Sequence, residues 1–399
     1  MDFPYPLDRG PRYHIHYWLK ALTADHDVDF LWVEPSRQRR QTVSQFPSVK
    51  VINLGEQPKM ALPHRVMRAA WSALSGTPRA ALIAMPPAAV EYVRQAVQDR
   101  RYDLAIMWAN SAAGYTPIFE GTVPTILSRL SVDAVDARDQ RKRAGMWHPR
   151  WALEEWVARR FEGSTCRAAT TICTVNGEDA QDYVRRYRLR NIVRVIPVGV
   201  EVREFGIRDR EPNTKIVGFV GRLWWDANAD AMNWLMQHIA PKIRMAHPQA
   251  RFRIVGPDGH GLREKYSGPS VEFTGYVPSV RDAMADVAVG VVPVFSGTGM
   301  RLKLLELLSM GIPSVTTSLG AAGLPCVDGE HVIVADGADA FAAAVNALLS
   351  DAPLRAKLSQ KGAELAKRYA WEATEQKVRE LVNETLSLVK TGHHLSSSS

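Results

Sequence analysis

The sequence predicts an α/β chain of two Rossmann-like domains in tandem, and three observations carry that expectation. At 399 residues the chain is long for one hydrophobic core, which makes two domains the default. From residue 216 onward, short apolar runs that end at small residues alternate with helix-period stretches, the pattern of a doubly wound parallel sheet. The first half repeats the alternation less cleanly.

In the second half the order begins with IVGFVG, a strand closing at Gly221, followed by the helical period ANADAMNWLMQHIAPKIRMAHP and its His-Pro stop. RFRIVG is the next strand and ends at Gly256. VEFTGYV, the helix-like VRDAMADV, the apolar strand VAVGVVPVF at 287 to 295, a leucine-rich helix and IPSVTTS complete the alternation. In the first half the corresponding pieces are YHIHYWLKALTADHDVDFLWV, VKVINL, a basic helix-rich section, YDLAIMWAN, TVPTILSRL, ATTICTV and IVRVIPVGV. The polar, turn-rich EFGIRDREPNT marks a boundary near 203 to 214, and a last helix over 371 to 390 is expected to return to the first domain.

Charged residues at 23% and hydrophobic ones at 46% are those of a globular protein. MDFPYPLDRGPR has no apolar run of the kind an export signal needs, and VAVGVVPVF falls well short of the roughly 20 residues that span a bilayer. A cytoplasmic protein is therefore expected. Cys166, Cys173 and Cys326 form no CxxC pair, which argues against disulfides and a structural zinc. The formal net charge of +8 suggests anionic partners: nucleotide phosphates, nucleic acid or an anionic membrane.

The stretch SGTGMRLKLLELLSMGIPSVTT, 296 to 317, is the most informative. It lacks the Gly-Lys-Ser/Thr of a Walker A loop, and Leu302 stands where a dinucleotide fingerprint needs its third glycine. Gly297 and Gly299 let the backbone pass close to a ligand, and a helix opening near Met300 would aim free N–H groups at the same place. At about 100° per residue, Gly299, Lys303, Glu306 and Met310 share one face while Leu304, Leu305 and Leu308 point towards the sheet. Lys303 could then meet phosphate and Glu306 ribose hydroxyls; a solvated Lys303–Glu306 ion pair on an ordinary helix is the alternative. FVGRL places Arg222 just beyond a strand's carboxyl end, where open α/β sheets bind ligands, unless it is simply a surface charge.

The order GFVGRL, RFRIVG, VEFTGYV, VVPVFSGTGMRLKLLELLSMGIPSVTTSLGAAGL resembles the C-terminal donor domain of GT-B glycosyltransferases of group 1 (GT4). Within that group it is most similar to exopolysaccharide-type sugar transferases with a GxGxRLKxLExLxxGxPVVxT variant. PYPLDRG at 4 to 10, IPVGV at 196 to 200 and RYAW at 368 to 371 fall where that family has its first glycine-bearing loop, its PNGV segment and its crossing helix. The resemblance implies two Rossmann-like domains facing a cleft. Residues 1–205 would bind the acceptor, 206–370 the nucleotide sugar, and 391–399 would be a disordered tail. An apolar strand usually stands directly before the PYP loop in the family, and this sequence opens inside that loop.

The function implied is that of a retaining hexosyltransferase moving a sugar from a nucleoside diphosphate sugar to a hydroxyl acceptor, in polysaccharide or glycolipid synthesis. Arg222 and Lys303 would stabilise the departing diphosphate, and Glu306, second carboxylate of an E-x7-E motif, would hold the ribose. Gly10, Gly221, Gly297, Thr298, Gly299, Met300 and Arg301 would line the donor site, with Gly275 to Val277 facing the base through their backbone. The chain departs from the family in three places. Thr298 replaces the first Glu of E-x7-E, Val198 replaces the Asn of PNGV, and Ser131 stands near a position that often carries His. Asp133 is the candidate for orienting the acceptor hydroxyl, with helix capping the alternative. A nucleotide-sugar epimerase of the same fold and a non-enzymatic polyanion binder are the competing readings; the strand-end glycines and the GTGMRLK loop argue against the second.

The basic, aromatic stretches HRVMRAAWSALSGTPRAALIA and RKRAGMWHPRWALEEWVARRF carry Trp71, Trp147, Trp151 and Trp156 among arginines. That composition suits the boundary of an anionic membrane and a lipid-linked acceptor; core tryptophans on ordinary helices would produce the same pattern. No cofactor and no metal are expected, since no DxD-like pair stands near the candidate strand ends and the donor is a substrate. Turnover should accordingly persist in excess chelator. Loss on adding EDTA, with recovery on Mg²⁺ or Mn²⁺, would refute the metal-free expectation.

Overall fold

A computed structural model describes residues 10–34, 46–56, 62–108, 110–145, 147–202 and 214–390. The polar stretch 203–213, residues 4–9 of PYPLDRG and the tail 391–399 lie outside the described residues. The chain divides into two compact units, one made of Met1–Val198 with Glu372–Ser399 and the other of Gly199–Trp371.

The first unit has a parallel pair, β1 (Val28–Glu34) and β2 (Val49–Glu56), and a parallel four-stranded sheet in the order β3 (Ala105–Trp108), β4 (Thr125–Arg129), β5 (Thr171–Thr174) and β6 (Ile192–Val195). β4 and β5 are buried along their whole length, as expected of strands covered on both faces. A cavity of about 130 Å³ lined by Phe30, Leu31, Met107, Trp108 and Phe119 lies between β1 and β3. The helix Trp371–Lys390 packs Val378, Leu381 and Val382 into a core with Trp18, Leu19, Ile126 and Ile196. Thr385 Oγ1 donates to Thr171 Oγ1 at 3.1 Å, and Lys20 pairs with Glu375 at 2.7 Å.

The second unit is one parallel sheet of six strands: β7 (Ile216–Val220), β8 (Arg251–Val255), β9 (Val271–Gly275), β10 (Val289–Val292), β11 (Ser314–Thr316) and β12 (Ile333–Val334). Their spatial order is β12-β11-β10-β7-β8-β9. The chain runs outward through β7, β8 and β9, then crosses back to β10 and builds the other half. The reversal between β7 and β10 is the topological switch point of an open α/β sheet, where the two flanking connections leave the carboxyl ends in opposite directions.

The ends of β7 and β8 are held together beyond the regular ladder. Gly221 N donates to the Val255 carbonyl at 2.9 Å and Leu223 N to the Pro257 carbonyl at 3.0 Å. Gly256 makes this approach possible: it sits at φ +136°, and a Cβ there would come within 2.2 Å of the Gly221 carbonyl oxygen. Gly256→Ala should therefore destabilise the protein by at least about 2 kcal/mol, strain and overpacking acting together. An unchanged urea midpoint would contradict the close approach.

Candidate functional site

Four elements meet at the switch point of the second unit. β7 ends at Val220 and is followed directly by Gly221–Arg222, and β10 runs into the loop Phe295–Met300. That loop feeds the helix Leu302–Ser309, and the helix Asp226–Trp234 begins close by. Gly297 and Gly299 have φ of +99° and +80°, values that side-chain-bearing residues rarely adopt, so both glycines are required by the path of the loop.

The helix begins at Leu302 rather than near Met300, because Arg301 is its non-helical cap. Arg301 folds back onto the loop: Nη1 donates to the Thr298 carbonyl at 2.8 Å and Nη2 to the Gly297 carbonyl at 2.6 Å. It braces the loop from within. Leu304, Leu305, Leu307 and Leu308 are buried against the sheet, and Met310, which follows the helix, is buried in the same core. Met300 and Val277 pack partly into the same core. Gly275 closes β9 at φ +72°, with its carbonyl accepting from Gly256 N at 3.0 Å.

Lys303 and Glu306 are half-buried, and among the described residues the hydrogen-bond partner of the Lys303 ammonium is Asn228, not Glu306 as in the solvated ion pair that the sequence left open. The Lys303 ammonium instead donates to Asn228 Oδ1 and lies over the Phe219 ring, 5.4 Å from its centroid. Asn228 Nδ2 in turn donates to the Arg222 carbonyl at 2.9 Å, so one amide ties the lysine to the strand end. The Arg222 guanidinium lies 5.9 Å from the centroid of the exposed Trp224 ring. Burial, with help from Arg301, pulls Lys303 down to about 8, while Glu306 opposes the shift. Burial pushes Glu306 up to about 7 against the pull of Lys303 and Arg222. Two cations and a carboxylate, all short of full hydration, thus share one strand-end site. Sequence reasoning missed Asn228 and Phe219; an Asn in the first turn after a Gly-Arg strand end was the available signal for the first.

In the first unit Gly10 opens the helix Gly10–Leu22, and Asp133 opens the helix Asp133–Ala144 just past β4. Asp133 is not the cap. Val132 holds that position with no side-chain acceptor, and Glu162 caps in its place, taking Asp133 N at 2.8 Å and Ala134 N at 3.3 Å. The Asp133 carboxyl group accepts from Asn110 Nδ2 and, at 3.4 Å, from Ser131 Oγ. Burial pushes it up to about 7, with Glu162 and Asp136 acting in the same direction and Arg129 and Asn110 opposing. Behind it lies a fully buried pair, Arg129 Nη2 to Glu162 Oε1 at 2.6 Å, which nothing in the sequence singled out.

Trp71 and Trp147 are 60% and 96% exposed, and Trp156 is exposed as well, so these three are not core residues. Met67, Trp71 and Leu74 form an exposed apolar stripe at helical spacing on the helix Leu62–Ser75. Among the described residues, no helix is long and apolar enough to cross a membrane.

Residues 214–351 match the family described as Glycosyl transferases group 1. The chain is 30% identical over 203 residues to a phosphatidyl-myo-inositol mannosyltransferase of Mycolicibacterium smegmatis, covering 48% of this chain and 52% of that one. It is 28% identical over 196 residues to a D-inositol 3-phosphate glycosyltransferase of Corynebacterium urealyticum, covering 45% of each. The chain thus spans about half the length of the curated relatives it matches. In fold it is similar to sucrose-phosphate synthase of Thermosynechococcus elongatus, with a TM-score of 0.69 at 18% identity over 95% of this chain and 94% of that one. It is similar also to Anabaena HepE in complex with UDP and glucose, with a TM-score of 0.62 at 13% identity over 90% and 99%. These likenesses assign the chain the GT-B fold of two Rossmann-like domains.

Proposed function

Starting from a group 1 glycosyltransferase segment at 214–351 within a GT-B fold, we propose that the protein is a retaining glycosyltransferase. It would move a sugar from a nucleoside diphosphate sugar to a hydroxyl acceptor. The observation that carries this reading is the convergence of Arg222, Lys303 and Glu306 at the switch point beside the Gly297–Gly299 loop. As the bond from the anomeric carbon to the diphosphate breaks, negative charge grows on the leaving oxygens. Arg222 and Lys303 are cations fixed where that charge appears, so they stabilise the transition state more than the bound substrate. Phe219 and Asn228 hold the Lys303 ammonium in place beforehand, so little reorganisation is needed. Glu306 accepts from ribose hydroxyls, Gly275 to Val277 meet the base, and backbone N–H groups around Thr298 together with its hydroxyl take the place of the absent first carboxylate. Asp133 orients the acceptor hydroxyl. Retention of configuration rests on the family resemblance, and the expectation of no cofactor or metal on the lack of a DxD-like pair near the candidate strand ends.

Lys303→Ala and Arg222→Ala should each fold and lose about 10²- to 10³-fold in turnover, the loss typical of removing one transition-state charge contact. Lys303 adds a pH signature. Its amine is depressed to about 8 in the free protein, so its charge is complete well below that value and disappears as pH rises through it. Affinity for a nucleoside diphosphate, measured across UDP, GDP and ADP, should fall above pH about 8 in the wild type and lose that fall in Lys303→Ala. A wild-type profile flat through that range would remove Lys303 from the diphosphate.

The exposed tryptophans and the Met67–Trp71–Leu74 stripe support an acceptor carried on an anionic membrane, reached from its cytoplasmic side without insertion. Part of the nearby charge is already used, since Arg79 pairs with Glu154 and Arg141 with Glu155. Arg150 lies over the Trp151 ring instead. Each free arginine near such a surface contributes about 1 kcal/mol, so attachment should be reversible and salt-sensitive. The protein should sediment with phosphatidylglycerol vesicles at low salt and be released at high salt. Equal recovery in the supernatant with anionic and neutral vesicles would sink the membrane part and leave the transferase reading intact.

A further inference from the structure

The Arg129–Glu162 pair lies at the carboxyl end of β4 with both side chains fully buried, a costly arrangement for two charges unless every hydrogen bond is met. Glu162, on the helix Pro149–Ala168, is held from several sides. Oε1 takes Arg129 Nη2 at 2.6 Å, Asp133 N at 2.8 Å and lies 2.8 Å from the Tyr183 hydroxyl. Oε2 takes the Tyr187 hydroxyl at 2.6 Å and Ala134 N at 3.3 Å. Arg129 Nε donates to the Tyr183 hydroxyl at 2.8 Å, which keeps the guanidinium turned towards Glu162. Asp133 Oδ2 stands 3.8 Å from the same Nη2, second in line for that cation. Arg129 Nη1 and Asn110 Oδ1 are buried polar atoms without a hydrogen-bond partner.

A helix that needs only a cap can take one from a Ser, Thr, Asn or Asp at the cap position, and here that position is Val132. The capping acceptor comes from another helix and brings with it the arginine that would otherwise pair with Asp133. We propose that Glu162 is a positioning residue for Asp133. Its carboxylate clamps the first turn of helix Asp133–Ala144 and takes the Arg129 hydrogen bond at 2.6 Å, leaving that cation 3.8 Å from Asp133 and beyond hydrogen-bond distance, so the Asp133 carboxyl group stays available to an acceptor hydroxyl. This rests on the reading of Asp133 as the acceptor-orienting group.

The charged groups acting on Asp133 are Arg129 from β4, Glu162 from the helix Pro149–Ala168 and Asp136 from its own helix, with the Asn110 amide opposite. Removing the Glu162 charge takes away one repulsion and frees Arg129 to turn, and both effects lower the Asp133 midpoint. The test is a ¹³C titration of the full chain labelled at Asp carboxyl carbons, the Asp133 signal being assigned by its loss in Asp133→Asn. In the wild type that signal should titrate at about 7, and in Glu162→Gln it should fall by roughly one unit or more. Glu162→Asp keeps the charge but draws it back, so it should move the midpoint the same way by less; it serves where Glu162→Gln does not fold. UDP affinity, which reads the second unit, should stay at the wild-type level in both variants. A lowered melting temperature with an unmoved Asp133 midpoint would make Glu162 a structural cap and overturn the proposal. Wild-type release of nucleotide from UDP-glucose and GDP-mannose by Asp133→Asn, with water as acceptor, would instead overturn the acceptor role of Asp133.

Discussion

Gly290 sets how closely the helix Leu302–Ser309 can approach the sheet. A Cβ at that position on β10 would come within 2.9 Å of Leu307 Cδ1 and 2.8 Å of Ser314 Oγ, so the absence of a side chain is what lets Leu307 lie directly on the strand. With Leu304, Leu305, Leu307 and Leu308 anchored there, the rotation of a short helix is decided, and Lys303 and Glu306 are left on the flank next to β7. The cation then meets Phe219 and Asn228, and the loop before the helix must turn through two left-handed glycines to reach its start. Much of the candidate donor site therefore follows from a packing contact on the buried side of one helix.

The two units handle charge in opposite ways. In the first, Arg129 and Glu162 are sealed from solvent and surrounded by tyrosine hydroxyls and backbone N–H groups, so breaking the pair would leave an uncompensated buried charge at about 3–5 kcal/mol. In the second, Lys303 and Glu306 are only half-buried, and the Glu306 carboxylate accepts no hydrogen bond from any described residue. The first arrangement fixes a geometry; the second leaves charge in a partly desolvated state that a polar ligand relieves. Displaced midpoints near neutrality at Asp133, Lys303 and Glu306 are what such surroundings produce, and they are common where chemistry is done.

Much of the fold was legible because its signals are local. Parallel strands buried on both faces must be continuously apolar, and runs such as IVGFV and VGVV announce themselves without any knowledge of their neighbours. Glycines at strand ends and within GTG report backbone conformations that the chain needs wherever it folds. For the same reason Arg222, Lys303 and Glu306 could be picked out as candidates, since each stands at a fixed offset from such a glycine.

What the sequence could not contain is the partner of each charged group. Helical periodicity left Lys303 free to pair with Glu306, but Asn228, 75 residues earlier, took the lysine. It made Asp133 a candidate cap, whereas the cap is Glu162, 29 residues on. It allowed Trp71, Trp147 and Trp156 to be core residues, and burial depends on which surfaces meet, so only the folded chain shows them exposed. By itself the sequence determined the succession of strands along the chain, the glycine loop and the candidate residues, because these depend on neighbours in the chain. The tertiary structure alone decided which charges pair, which are desolvated and which stay open to a ligand, because those properties depend on distances between residues far apart in sequence.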